Sequence, residues 1–301
     1  MRTILTVLLT CVLLLGGSVA CGRETPDGGA MRVVTVVYPL EEAVTRIGGD
    51  RVSVTNLTPP GVEPHDLELT PGDLERISQA SLVLYLGGGF QPAVEDAIGA
   101  AATGASVDVL AALAEHGVLL PDPDGELTND PHVWLAPERM LDVASAVREA
   151  LTGADPDGAA AFGAAAEAWE TQLTAIAGDY EVLRDCDRDL LVTGHRAFGY
   201  LAQAYGLREA AIAGVSPEAE PGPARLGEIR DLVEREGVTT VFAEELLPAD
   251  YAEAIAAETG AAVRTLHTIE SRTDAQREAG IGYEELMREN LAALVEGLGC
   301  G

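Results

Sequence analysis

The 301-residue chain contains no lysine: all 19 of its basic side chains are arginine, against 49 acidic ones, giving a formal charge of −30. A surface that neutralises phosphate needs clustered cations, so this composition excludes nucleic-acid binding and docking of the folded domain on anionic lipid. Cysteine is scarce, four in all, and no CxxC occurs, which removes thiolate metal clusters and thioredoxin-type chemistry. HExxH and GxSxG are absent. Gly87-Gly-Gly89 follows an apolar run but lacks the GxGxxG order of a dinucleotide site. No tandem repeat at a solenoid period is visible. Beyond the first twenty residues no apolar stretch reaches the ~20 residues of a spanning helix. The remaining composition, 47% hydrophobic and 23% charged, is that of a globular protein, and the length allows about two domains.

Met1 and Arg2 precede an apolar run at 4–15, then Gly16, Gly17, Ser18, Val19, Ala20 and Cys21. This order describes a secretory signal over residues 1–20. The Cys after Ser18-Val19-Ala20 resembles a bacterial lipobox, which implies cleavage before Cys21 and acylation of its thiol. Residues 21–30 then form a lipidated, flexible tether on the outer face of the cell membrane. Cys186 and Cys300 remain in the mature chain. In an oxidising compartment an even count suggests a disulfide, the alternative being two buried thiols.

Strand and helix patterns alternate from residue 31: strands at 33–37, 51–55 and 82–86, helices at 41–47, 71–78 and 92–101. They return after residue 188, with strands at 190–193, 239–243 and 262–266 and helices at 197–205, 249–259 and 283–298. This order predicts an α/β fold of two Rossmann-like lobes with central, mainly parallel sheets. The lobes would cover 31–154 and 186–301. Between them, Asp155-Pro156 opens a helix, and Phe162, Trp169, Leu173, Ile176, Tyr180 and Leu183 recur at spacings of 7, 4, 3, 4 and 3. That is one long amphipathic helix of ~25 residues, ~37 Å, within a linking segment at 155–185.

Five histidines occur. His65 and His195 lie just past predicted strands, where ligand sites of open α/β sheets collect. His132 sits in Asp130-Pro-His-Val-Trp134. His116, in a polar loop, reads as solvated. A helix start favours the neutral, metal-ligating form of imidazole, and His195 has that position.

Three segments carry a specific resemblance: Gly61-Val-Glu-Pro-His-Asp-Leu-Glu-Leu-Thr-Pro-Gly-Asp-Leu74, Asp130-Pro-His-Val-Trp-Leu-Ala-Pro137 and His195-Arg-Ala-Phe-Gly-Tyr-Leu201. They resemble the three histidine motifs of metal-specific solute-binding proteins of bacterial zinc or manganese ABC importers, over nearly all of the mature chain. The resemblance implies two α/β lobes joined by one long helix, with metal between them. It implies His65, His132 and His195 as imidazole ligands and a carboxylate from the last loop of the second lobe. Glu270 in Thr265-Leu-His-Thr-Ile-Glu-Ser271 takes that place, with His267 as rival. Asp130 and Glu63 are candidates to hold the ligand rings, since a ligating histidine donates its other N–H to an oxygen. Only His116 to Asn129 stands where many zinc-uptake members carry a long His-rich loop.

Three imidazoles and a carboxylate suit tetrahedral Zn²⁺ as transported ligand, with Mn²⁺ or iron as the alternative. Four protein ligands leave no open position for a catalytic water, so binding is expected rather than catalysis. The partner implied is an ABC permease subunit, for a monomeric binding protein. A metal-dependent surface adhesin and a secreted metallohydrolase are the rival readings.

Overall fold

The computed structural model describes residues 29–123, 125–217 and 220–301. The signal segment 1–20 and Cys21 lie outside the described residues. From residue 31 the chain runs β1 (Met31–Thr35), α1 (Tyr38–Gly48), β2 (Val52–Asn56), α2 (Pro71–Gln79), β3 (Leu82–Tyr85), α3 (Pro92–Ala101), β4 (Ala105–Asp108), α4 (Val109–Ala114), α5 (Pro137–Ala154) and α6 (Ala159–Tyr180). It continues through β5 (Leu190–Thr193), α7 (Gly199–Tyr205), β6 (Arg208–Ala211), α8 (Pro223–Glu236), β7 (Thr240–Ala243), α9 (Asp250–Thr259), β8 (Ala262–Thr265), α10 (Asp274–Glu278) and α11 (Tyr283–Leu298).

The strands make two four-stranded, all-parallel sheets, ordered β2-β1-β3-β4 and β6-β5-β7-β8. Parallel strands need helical crossovers that cover both faces, and the central strands are accordingly apolar throughout, as in Leu-Val-Leu at 82–84 and Leu-Leu-Val at 190–192. The two-lobed α/β organisation expected from the sequence is the one observed. In each sheet the order reverses between the two central strands, and a ligand crevice forms outside the carboxyl ends at such a point.

The long helix is shorter than expected. α6 has 22 residues, and its last turn tightens into a 3₁₀ helix over Glu181–Asp185. It is also no free-standing strut. Phe162, Trp169, Leu173, Ile176 and Tyr180 are all buried among α1, α5 and α11. The Tyr180 hydroxyl donates to the Met287 carbonyl on α11 at 2.7 Å. One apolar core thus runs from the first sheet through α6 to α11, and a second, smaller one fills β5, β6, β7, α8 and α9.

Cys186 and Cys300 are joined as a disulfide across 114 residues. Closing so long a loop restricts the unfolded chain by about 4–5 kcal/mol in the chain-entropy account. Cys186→Ser is therefore expected to lower the unfolding free energy by about 3–5 kcal/mol in urea titration under oxidising conditions. The difference from the parent should vanish when both are reduced; a difference that persists in reductant would point to lost packing instead.

Candidate metal centre

His65 lies in a short 3₁₀ turn, Pro64–Asp66, within the loop between β2 and α2. The Gln91 amide holds this turn by donating to the Pro64 carbonyl at 2.8 Å. His132 precedes the 3₁₀ turn Val133–Leu135 that leads into α5, and follows the irregular stretch after α4. His195 stands two residues beyond β5, and Glu270 five residues beyond β8. The structure brings these four together: one ligand atom from each lies within 4.8 Å of the others. His132, His195 and Glu270 are 0% exposed and His65 8%.

Glu270 Oε1 is the focus. It is 2.9 Å from His132 Nε2, 3.2 Å from His65 Nε2 and 3.9 Å from His195 Nε2. All three rings present Nε2, and two of them for a visible reason. Asp130 Oδ1 accepts both the His132 backbone N–H and its Nδ1–H at 2.9 Å. Glu244 does the same for His195, accepting the backbone N–H at 2.7 Å and Nδ1–H at 2.6 Å. A carboxylate on Nδ1 fixes tautomer and ring angle and leaves Nε2 for a cation.

Glu244 was not legible as a site residue: it belongs to no motif, and its only signal is its position directly after β7. Its proximity explains Gly194, because a Cβ there would sit 2.5 Å from Glu244 Oε1. Glu63 does not hold a ring. Its carboxylate caps the turn by accepting the His65 backbone N–H at 3.3 Å, and His65 Nδ1 is buried without a partner. Of the two residues expected to support the ligand rings, only Asp130 is placed to do so.

His267 points away from the cluster, to Glu245 at 3.1 Å and Glu289 at 3.2 Å. Asn290 on α11 grips its backbone, accepting its N–H and donating to its carbonyl, both at 2.7 Å. His116 is exposed. Ile269, just before Glu270, is the one non-glycine with positive φ among the described residues, at 58°. A left-handed conformation costs a β-branched residue about 1–3 kcal/mol and persists only where the surroundings enforce it. Here the Trp134 indole N–H donates to the Thr268 carbonyl at 2.7 Å, and the Tyr38 backbone N–H to the Glu270 carbonyl at 2.9 Å.

Burial pulls the His132 imidazole down, but the hydrogen bonds to Asp130 and Glu270 outweigh it and push its pKa up to about 10. Burial opposes the charge on Glu270 as well, yet the His132 and His65 hydrogen bonds hold it well below the usual carboxylate range. Burial carries His65 down. His195 is raised, because the Glu244 charge and hydrogen bond exceed the cost of burial. The expected helix start is not at His195, since α7 begins only at Gly199, and a carboxylate 49 residues away in sequence governs the ring instead. Glu63 is pushed up to about 9, by burial first and then by the Glu270 charge. The carboxylates thus favour a proton on the His132 and His195 rings, and protons compete with a divalent cation for the same nitrogens.

Glu244→Gln is expected to weaken metal binding ~10–100-fold, since the amide oxygen cannot satisfy both His195 donors. Circular dichroism should be unchanged, and equal affinity of variant and parent would show that Glu244 does not orient the ring.

Two doubly wound lobes with three imidazoles and a carboxylate converging at their facing edges define a two-lobed α/β protein with a buried, metal-type donor set. Over residues 33–297 the chain matches the family described as zinc-uptake complex component A, periplasmic, and it belongs to that family. The high-affinity zinc uptake system protein ZnuA of Bacillus subtilis (strain 168) is 30% identical over 311 residues, covering 98% of this chain and 97% of its own. The zinc-binding lipoprotein AdcA of Streptococcus pneumoniae serotype 4 is 32% identical over 295 residues, covering 94% of this chain; the match spans only 58% of that relative. Among solved structures, Zn(II)-bound AdcA from S. pneumoniae aligns with TM-score 0.77 at 30% identity, over 90% of this chain and 58% of that one. The laminin-binding protein Lmb of Streptococcus agalactiae, described as bifunctional with adhesin and metal transporting activity, aligns with TM-score 0.80 at 28% identity, over 89% of this chain and all of that one.

Proposed function

We propose that this chain is an extracytoplasmic solute-binding protein that captures Zn²⁺ between its lobes and delivers it to an ABC permease. His65, His132 and His195 would bind through Nε2 and Glu270 through its carboxylate. The observation that carries this reading is the convergence of those four buried donors, two of them already oriented by Asp130 and Glu244. An imidazole-rich, four-donor set suits tetrahedral zinc, whereas Mn²⁺ favours more oxygen and higher coordination. Membership of a zinc-uptake family and the names of the relatives support the same metal. The lobes would be residues 31–154 and 186–301, linked through 155–185. Lipidation of Cys21 would tether the monomer to the membrane. Among the described residues no helix is long and apolar enough to cross one. Four protein donors leave no position for a reactive water, so the role is binding rather than catalysis.

The test is competitive titration of chelator-stripped protein with Zn²⁺ and Mn²⁺, with bound metal counted by mass spectrometry. One zinc per chain, retained against manganese and weakened by His195→Ala, is the expected result. Manganese held against zinc would overturn the choice of metal, and absence of stoichiometric metal would overturn the centre.

A further inference from the structure

Glu270 follows the last strand of the second sheet, but its segment is fastened to the first lobe. Besides the bonds from Tyr38 and Trp134, the Gly61 backbone N–H donates to the Arg272 carbonyl at 2.8 Å, and the Ser271 hydroxyl to the Pro59 carbonyl at 3.2 Å. The Arg272 guanidinium lies 4.1 Å over the Tyr38 ring and 3.5 Å from the Glu41 carboxylate. Ile269 packs into the larger core, which runs from the first sheet through α6 to α11 and also takes in Leu191 of β5 and Phe242 of β7, and not into the smaller core of the second lobe. Leu266 still donates its N–H to the Ala243 carbonyl at 2.9 Å, so the change of attachment falls between Leu266 and Ile269. The left-handed turn at Ile269 is where the chain leaving β8 is redirected on to that surface.

His195 shows the opposite attachment. Its backbone and ring are held by Glu244, the Arg196 N–H donates to the Gly214 carbonyl at 2.9 Å, and the Ala213 N–H donates to the Gly194 carbonyl at 2.8 Å. These partners all lie at the carboxyl edge of the second sheet. α7, which follows, is tied back to the first lobe: the Tyr200 hydroxyl donates to the Asp130 carbonyl at 2.7 Å and accepts the Leu120 N–H at 3.0 Å. The distances within the cluster agree with this division, since Glu270 sits nearer to His65 and His132 than to His195.

We infer that Glu270 belongs mechanically to the first lobe, so that parting the lobes withdraws His195 alone and leaves His65, His132 and Glu270 together as a three-donor half-site. This rests on the reading of the cluster as the metal centre. The chain between His195 and Gly199 and the turn between Leu266 and Glu270 take up the movement, with β5, β6, β7, α8 and α9, and β8 laddered to β7, swinging as a unit while Leu191 and Phe242 shift against the larger core. Such a half-site keeps a carboxylate and two imidazoles on the cation and opens one side to water or to a donor on the permease. Metal would then leave in two stages, the first costing one ligand.

The experiment is a distance measurement by pulsed electron spin resonance on two doubly labelled proteins, zinc-loaded and chelator-stripped. One carries Arg148→Cys on α5 with Arg230→Cys on α8. The other pairs Arg148→Cys with Arg277→Cys on α10, close behind the fastened segment. All three side chains are solvent-exposed and outside the cluster. Stripping the metal should lengthen the 148–230 distance by more than about 2 Å and leave the 148–277 distance within about 1 Å. Equal lengthening of both would overturn the inference, since Glu270 would then travel with the second lobe. No change in either would overturn it as well, since the lobes would not part. Zinc is counted on the same samples: if it is not stoichiometric in the loaded protein, the metal reading fails, and this inference falls with it.

Discussion

His132→Ala is expected to lower the affinity for Zn²⁺ more than a hundredfold, and His116→Ala to leave it unchanged. His132 is the most tightly integrated of the four donors. Its Nε2 makes the shortest contact to Glu270, and its Nδ1 and backbone N–H are both taken by Asp130. Zinc held by four protein ligands is bound by roughly 10–16 kcal/mol, so losing one donor removes about 3 kcal/mol or more, over two orders of magnitude in Kd. The variant also leaves the Asp130 carboxylate buried with its ring partner gone, a cost that a surface histidine does not carry. His116 is exposed in a loop and serves as the matched control. Competition against a chelator of known affinity reads both variants. Affinity within threefold of the parent for His132→Ala would remove His132 from the ligand set.

Between pH 9 and pH 6 the apparent affinity for Zn²⁺ should fall by about tenfold per pH unit, a thousandfold in all. The sign follows from competition between proton and metal for the same nitrogen. Metal-free His132 holds its proton up to a pKa of about 10, because Asp130 and Glu270 together overcome the cost of its burial. Zinc requires the neutral ring, so each ion bound displaces that proton, and lowering the pH favours the proton. His195, also raised, adds to the loss wherever it is protonated, whereas His65 is lowered and does not compete at neutral pH. A free imidazole would place the fall near pH 6.5. The surrounding carboxylates extend it to alkaline pH. Calorimetry in buffers of different ionisation enthalpy counts the protons released. Asp130→Asn should flatten the upper part of the profile, and a parent affinity constant from pH 8 to 9 would refute the assignment.

The central strands were legible because they are short, apolar and β-branched. Leu190–Thr193 and the final helix, Tyr283–Leu298, fall where the pattern put them. Two outer strands were not. Arg208–Ala211 reads Arg-Glu-Ala-Ala, with no β-branched residue, and Ala105–Asp108 is half-exposed. They are strands because a neighbour supplies a ladder, which a local pattern does not contain. α5 and α8 were passed over although both are amphipathic and open with proline. In the site, the three histidines stood out through their rigid Pro- and Gly-flanked turns, and Glu270 only through resemblance to a family. Glu244 reaches His195 across 49 residues, so neither its role nor its effect on the imidazole pKa had a local signature.

The bridge from Cys186 to Cys300 encloses nearly the whole second lobe in a covalent ring. A protease that nicks any loop between those residues would produce no free fragment: the two pieces would stay linked and migrate together until a reductant is added. An exposed stretch such as 277–280, at the end of α10, could then be cut once without the lobe being shed.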